Sequence, residues 1–598
     1  MKKIISILLI LLLSTLVFDS ALAQKRKKKT TTKAKKTTLT KKKSTAQKQV
    51  AKKISTAKTK SSTNSADAEM AIVTREGLSD TTGNRTVIIT SSFKPSLQYA
   101  AKINFTAATP VTDSSKIPLE YKVPSSNLFF SYQPLPIKPL ALPADSGITW
   151  QNNHRVKIGL GNYSTVLADG RFSFGDGKKS ITNLGVDYIT AKSDVFAQQY
   201  SKFGIDVKSI INTDNNIEWT TEAFFNSITQ FRYGVPGGAT SGFTKDQLKQ
   251  IYNTLCLELG LRNKMPNEKL LSYHPKINYY RFTDNVGAQD NNIILQLPVE
   301  KSFTKILSFA LDITGDFGST VTPVNRITNN LYQVNPAVIF STPNVKINAG
   351  IMPSWDNNAY NMLPDISATL KMPYNPFSFE LGWVGYYTKN SFRSLTGTNP
   401  WISQPTNLSN TRTNEQYIGI KGNVGNHISY GARVSYLRQF NQVLFTNNMS
   451  DSKFFDIIFE PEIKAFKVHG EVNYTVQEKL SFIGSTNITQ FNEVSQNLYA
   501  WGLVPFDITG GAQWKPLKDL QIKADIFFRS GSLYRNAALK SDRLPATFDV
   551  NLGGEFAATK NINIWLQLNN LFNNKYQRWN QYPVFGFNVI AGVVYSFK

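Results

Sequence analysis

The last twelve residues, FNVIAGVVYSFK, place Phe587, Val589, Ala591, Val593, Tyr595 and Phe597 on alternate positions, with Asn588, Gly592 and Ser596 among the residues between them. A period of two marks a β-strand, because successive side chains leave a strand on opposite faces. The same pattern recurs back to about His154. In DLQIKADIFFRS, Leu520, Ile522, Ala524, Ile526 and Phe528 alternate with Gln521, Lys523, Asp525, Phe527 and Arg529. In FKVHGEVNYTV, Phe466, Val468, Val472, Tyr474 and Val476 alternate with Lys467, His469, Glu471, Asn473 and Thr475. FDVNLGGEF, INIWLQL, LSFALDIT and HISYGARVSY follow suit.

A soluble antiparallel sandwich alternates in the same way, so length and turn spacing decide the medium. Many segments run ten to fourteen residues, against about five or six for ordinary strands and about 9–11 for strands that cross a bilayer. Tight connections at 175–179, 422–426, 476–479, 515–519 and 558–561 alternate with long ones at 389–412, 441–453, 530–545 and 573–583. That asymmetry belongs to outer-membrane barrels. Counting back from the C-terminus predicts an all-β fold, a transmembrane antiparallel β-barrel of about twenty-two strands between 154–162 and 586–597. The stretch 235–252, containing TKDQLKQIY, is expected as a long loop with a short helix. Tyr576, Trp579 and Tyr582 are expected in an interfacial aromatic girdle.

The opening MKKIISILLILLLSTLVFDSALAQ has the basic start, apolar run and small-residue exit of a secretory signal over residues 1–23. No later run approaches the roughly 20 apolar residues of a membrane helix, and Cys256 is the only cysteine, so no intramolecular disulfide can form. Residues 24–67 form a Lys/Thr-rich tail. The first sixty residues carry eighteen Lys or Arg and one acid, hence +17 of the chain's +26. Such a segment cannot bury enough apolar surface to offset its ordering entropy, so it is expected to be disordered. Lysine clusters neutralise phosphates, but for an exported chain an anionic envelope polymer or lipid head group is expected before nucleic acid, with a solvated tether that has no specific partner as the alternative reading. Residues 68–153 are rich in Pro, Ser and Thr, and NLFFSYQPLPIKPLAL reads as part of an extended periplasmic arm. The barrel takes 154–598.

The C-terminal third resembles TonB-dependent receptor barrels. NINIWLQLNNLFNNKYQRWNQYPVFGFNVIAGVVYSF is similar to their closing hairpin, with the phrase LNNLFNNKYQ, a loop containing Tyr-Pro, Gly586 and a last strand ending on Phe597. The resemblance implies that Ala591, Val593, Tyr595 and Phe597 form the alternating signal read by the barrel-assembly machinery, with Lys598 one residue beyond the usual end. It also implies a lumen wide enough to need obstruction by the arm, by inward-folded loops or by a partner. Between Gln24 and His154 the chain departs from the family, because no string of glycine-rich short strands suggests a plug. The sequence therefore resembles a plugless relative of the kind associated with Bacteroidota.

Catalytic and metal chemistry is not indicated. His154, His274, His427 and His469 lie on separate strands without ligand spacing. GDGKKS at 175–180 lacks the spacing of a phosphate loop and suits a hairpin turn. The sequence thus predicts no enzyme, no cofactor and no catalytic or metal site. It leaves two functions open: a transport or receptor-like outer-membrane barrel for an unidentified solute, or a barrel anchor or accessory subunit engaging periplasmic or outer-membrane proteins through its tail and arm.

Overall fold

The computed structural model describes residues 152–234, 242–267, 269–373, 375–476, 479–536 and 539–598. The expected signal and tail, and all but the last two residues of the expected arm, lie outside the described residues. One antiparallel sheet contains 23 strands, of which Leu271–Tyr273 is a three-residue stub beside Val299–Lys301. The other 22 form the wall. The first, His154–Gly161, pairs with the last, Asn588–Phe597, from His154↔Phe597 to Gly161↔Ile590, so the sheet closes on itself. Closure removes the edge whose unpaired backbone groups hydrocarbon cannot solvate.

Strands of 8 to 22 residues make up this wall, and alternation gives them two faces. Leu255, Leu257 and Leu259 face outward together, as do Ile562, Ile564 and Leu566, all exposed on the barrel's surface. Their neighbours in the lumen are polar: Glu415, Lys467, Lys523 and Gln567 are all buried. Lumen charges are paired, most of them across strands. Arg262 binds Glu218 through two bonds of 2.7 and 2.9 Å. Arg171 spans Asp169 and Asp206 at 3.0 and 2.8 Å, and Glu380 meets Lys421 and Arg433. No helix among the described residues is long and apolar enough to cross a membrane. The crossing elements are strands.

The closing seam departs from the polar-inside rule. Val593 and Tyr595 face outward as expected, but Ile590 and Val594 point inward and are fully buried with Leu167, Ile189, Tyr200, Trp565 and Phe585. Trp565 lies across the pair Gly159↔Gly592, and a Cβ on Gly159 would stand 2.3 Å from its ring. The indole N–H donates to the Ile158 carbonyl at 3.1 Å, and the Lys157 ammonium sits 3.7 Å over the ring centroid. Glycine here admits an aromatic wedge that fastens the first and last strands from inside.

The longest connections share one end. The end that carries His154 and Phe597 has the short turns 176–179, 213–216, 303–306, 342–344 and 558–561, whereas 389–410, 495–505, 530–546 and 570–587 all emerge at the opposite, loop end. Two expectations are corrected there. The loop at 235–252 ends earlier than predicted: its helix is the single turn Lys245–Leu248, capped by Thr244 and Gln247, and a strand begins at Lys249. The loop expected at 441–453 is mostly strand, because Ile428–Asn447 and Phe455–Val476 pair as far as Asn447↔Phe455.

Candidate functional site

The lumen mouth at the loop end is crossed by two of its own connections. The first, 389–410, leaves the strand Phe377–Thr388 and carries the helix Phe392–Thr398. Ser391 and Ser394 form a reciprocal capping box that starts this helix, satisfying amides that would otherwise lack partners. Phe392 packs edge-on against the inward-facing Tyr252 and Phe282, with centroids 6.3 and 5.4 Å away. Arg393 lays its guanidinium 4.6 Å over the Tyr280 ring. These aromatics stand on Lys249–Asn263 and Lys276–Asp284, strands remote from the loop's own origin around the ring. The segment therefore reaches across the interior.

Wall carboxylates tie this first loop down. Lys389 Nζ meets Asp316 at 2.8 Å and donates to the Asn329 carbonyl at 2.6 Å. Asp290 accepts from the Arg393 amide at 3.1 Å and from Thr320 at 3.0 Å. Gln404 donates to Asp284, and Asn410 to Asp356, each at 2.7 Å. Near the middle, Tyr252 and Gln230 both donate to the Pro400 carbonyl.

The second loop, 570–587, arrives from the closing hairpin and carries Trp579 and Tyr582. Both are buried inside the mouth rather than set in an outer girdle, which corrects the sequence expectation. Trp579 is held edge-on between Phe445 and Phe455, and Tyr582 stacks on Trp401 of the first loop with ring centroids 3.8 Å apart. The Tyr582 hydroxyl donates to the Lys453 carbonyl at 2.6 Å, while Gln198 and Tyr233 donate to the Pro583 carbonyl. Burial pushes the Tyr582 phenol well above its ordinary pKa, so it remains a neutral donor. Tyr576, the third girdle candidate, is half-buried and donates to Asp549 at 3.1 Å.

Where the loops meet, one apolar cluster joins Phe392, Leu395, Ile402, Phe445, Phe455, Trp579 and Tyr582 to Tyr252 and Phe282 of the wall. Loop 495–505 abuts it: Gly502, at φ +74°, brings its carbonyl within 3.1 Å of Arg578 Nη2, and a Cβ there would lie 3.0 Å from Trp579. A cavity of about 60 Å³ remains between Thr388, Leu395, Gln439, Arg578 and their neighbours. Farther out, pairing of Leu480–Val494 with Phe506–Leu517 stops at Ile488↔Phe506, and an open cleft of about 780 Å³ lies beside Lys464 and Glu493.

The sequence-marked residues stay dispersed. His427 caps a strand end at the Thr475 carbonyl, His469 bonds Asn487, and His154 packs against Phe597. Among the described residues, no group of three or more His, Cys, Asp or Glu could hold a metal ion. Ala591, Val593, Tyr595 and Phe597 share the outward face of the closing strand. The sequence does not single out the lid as a specific assembly. Its available signal was two long connections rich in aromatic and amide side chains, such as LNNLFNNKYQRWNQYP.

No protein-family model matches the chain, and no curated protein matches it. Solved structures do. The FrpB iron transporter from Neisseria meningitidis aligns over 75% of this chain and 82% of its own, with TM-score 0.58 and 10% identity. The siderophore receptor PirA from Acinetobacter baumannii aligns over 75% and 80%, with TM-score 0.58 and 9% identity. A mutant of the ferric enterobactin receptor PfeA from Pseudomonas aeruginosa aligns over 75% and 80%, with TM-score 0.56 and 10% identity. At these identities the likeness is one of fold: the chain is a 22-strand antiparallel β-barrel that resembles TonB-dependent receptor and siderophore-transporter barrels.

Proposed function

We propose that this chain is a transport or receptor-like outer-membrane barrel whose lumen is gated by its own loops. The observation that carries the reading is the meeting of 389–410 and 570–587 inside the mouth, at the Trp401–Tyr582 stack. A barrel of about 22 strands encloses a lumen that needs a plug, and the crossed loops supply an obstruction built from the wall's own connections. Fold likeness to an iron transporter and to siderophore receptors supports solute uptake as the class of activity. In this reading the loop end faces outward, while the chain's N-terminal tail and arm occupy the periplasm. The tail engages anionic envelope polymer or a neighbouring envelope protein. The exposed face Ala591, Val593, Tyr595 and Phe597 serves the assembly machinery.

Folded protein extracted from outer membranes and placed in planar bilayers should show small or intermittent conductance, and deletion of the gene should abolish uptake of at least one solute. A barrel silent in both assays would overturn transport and leave the anchor or accessory role.

A further inference from the structure

One cation of the lid, the half-buried Arg578, has surroundings that differ from those of the paired lumen charges. Arg171, Arg262 and Lys389 each meet a carboxylate. Arg578 instead donates Nη2 to the Gly502 carbonyl and lies 4.1 Å over the Trp579 ring. Its Nη1 is fully buried and has no hydrogen-bond partner. Dehydration and the neighbouring Arg529 guanidinium pull the Arg578 pKa down to about 9, so the group remains charged at neutral pH in a positive environment.

This arginine lines the 60 Å³ cavity between the two loops, and no Asp or Glu lines it. Two further polar groups line it: the hydroxyl of Thr388 and the carboxamide of Gln439. A guanidinium, a hydroxyl and a carboxamide thus border one space, and the guanidinium keeps a donor that the protein leaves unused. A buried donor without an acceptor costs about 1–3 kcal/mol, more when charged. An unpaired buried group calls for a ligand, ion or water.

We propose that this seam binds a small oxyanion, either inorganic phosphate or the carboxylate end of an organic solute. The volume exceeds the roughly 30 Å³ occupied by one water in the liquid and suits a single tetrahedral or planar anionic group. Arg578 supplies charge and Nη1, and Thr388 and Gln439 supply neutral donors from the wall strands. Because Thr388 adjoins the first loop and Arg578 belongs to the second, a bound anion bridges them and holds the mouth closed. The inference rests on the lid described for the proposed transporter, but binding can be measured without any transport.

Isothermal titration of the full-length protein in detergent, with sodium phosphate and separately with sodium acetate at constant ionic strength, tests the site. Saturable binding of either probe is expected, and the responding probe distinguishes the two sources. Arg578→Gln should weaken it about tenfold or more, the loss expected for a hydrogen bond to a charged group. Thr398→Phe, which fills the cavity while retaining Arg578, should abolish it. Lys464→Gln in the outer cleft should bind as wild type does. Heat-modifiable migration establishes that each variant is folded. Failure of both probes to bind the wild type, or undiminished binding by folded Arg578→Gln or Thr398→Phe, would overturn the site. Conductance without anion binding would reject the site and keep the transporter; anion binding by a protein silent in bilayer and uptake assays would do the reverse.

Discussion

The two ends of the barrel are built by different chemistry. At the end carrying His154 and Phe597, turns satisfy themselves. The Asp176 carboxylate accepts the amides of Lys178, Lys179 and Ser180 at 3.0, 2.7 and 2.9 Å. Thr304 accepts from Ile306 and Leu307, and Thr559 from Asn561 and Ile562. At the loop end, Gln198 reaches a carbonyl 385 residues away, Tyr233 one 350 away and Tyr582 one 129 away. Local bonds make a turn whose conformation depends little on the rest of the chain. Distant bonds make a lid that exists only after the wall has closed.

The largest effect should come from removing part of the lid. Replacing residues 392–408 by a short Gly-Ser bridge deletes the helix and Trp401 but leaves every wall strand intact. Single-channel conductance should rise several-fold over the wild type, while an equivalent Gly-Ser replacement of 176–179 should leave it unchanged. Equal conductance in the two variants would show that the mouth is blocked by something other than this loop.

A smaller effect should separate the two lid segments from each other. The first is held by Asp284, Asp290, Asp316 and Asp356, whereas residues 578–583 of the second bond carbonyls and amides and pack aromatic rings. Lys389→Met leaves Asp316 buried without its ammonium, a loss of about 3–5 kcal/mol for a broken buried pair. Lys389→Met with Asp316→Leu should recover part of that loss, because removing both charges avoids the stranded one. Hydrogen exchange should quicken across 389–410 in the single variant and much less across 578–585. Uniform quickening across both would make the lid one cooperative unit.

The same contrast explains what the sequence made legible. Alternation needs only a wall with one dry face and one wet face, so the twenty-two strands could be read from local order. It fails where both faces are covered. Gln442, Val443, Leu444, Phe445, Thr446 and Asn447 are all buried, because the lid packs Trp579 against Phe445 while Trp501 and Leu503 join the cluster around Leu444. Period two disappears there, and an extended strand resembles a loop. Trp579 and Tyr582 were misplaced for the same reason: an aromatic beside a barrel strand suits a girdle, and only partners such as Phe455 and Trp401 put it inside. Asp176 posed no such difficulty, since all its partners lie within four residues.

The smallest expected effect lies at that turn and reverses the lid's dependence on distant contacts. Three backbone amides favour the ionised Asp176 side chain and hold its pKa below the ordinary carboxylate value. A lowered folded-state pKa adds stability above the unfolded-state value, and that stability is lost as pH falls through the folded one. In detergent-solubilised protein, NMR amide shifts of Lys178, Lys179 and Ser180 should therefore titrate together below the ordinary Asp range. Asp176→Asn should abolish that titration and loosen the turn, while conductance and the exchange of 389–410 stay as in the wild type. The carboxylate is fully solvated, so water and salt screen it and the loss remains confined to the hairpin. A change in lid exchange in Asp176→Asn would mean that the two ends are mechanically coupled through the wall, and that the turn is not the self-contained unit its bonds describe.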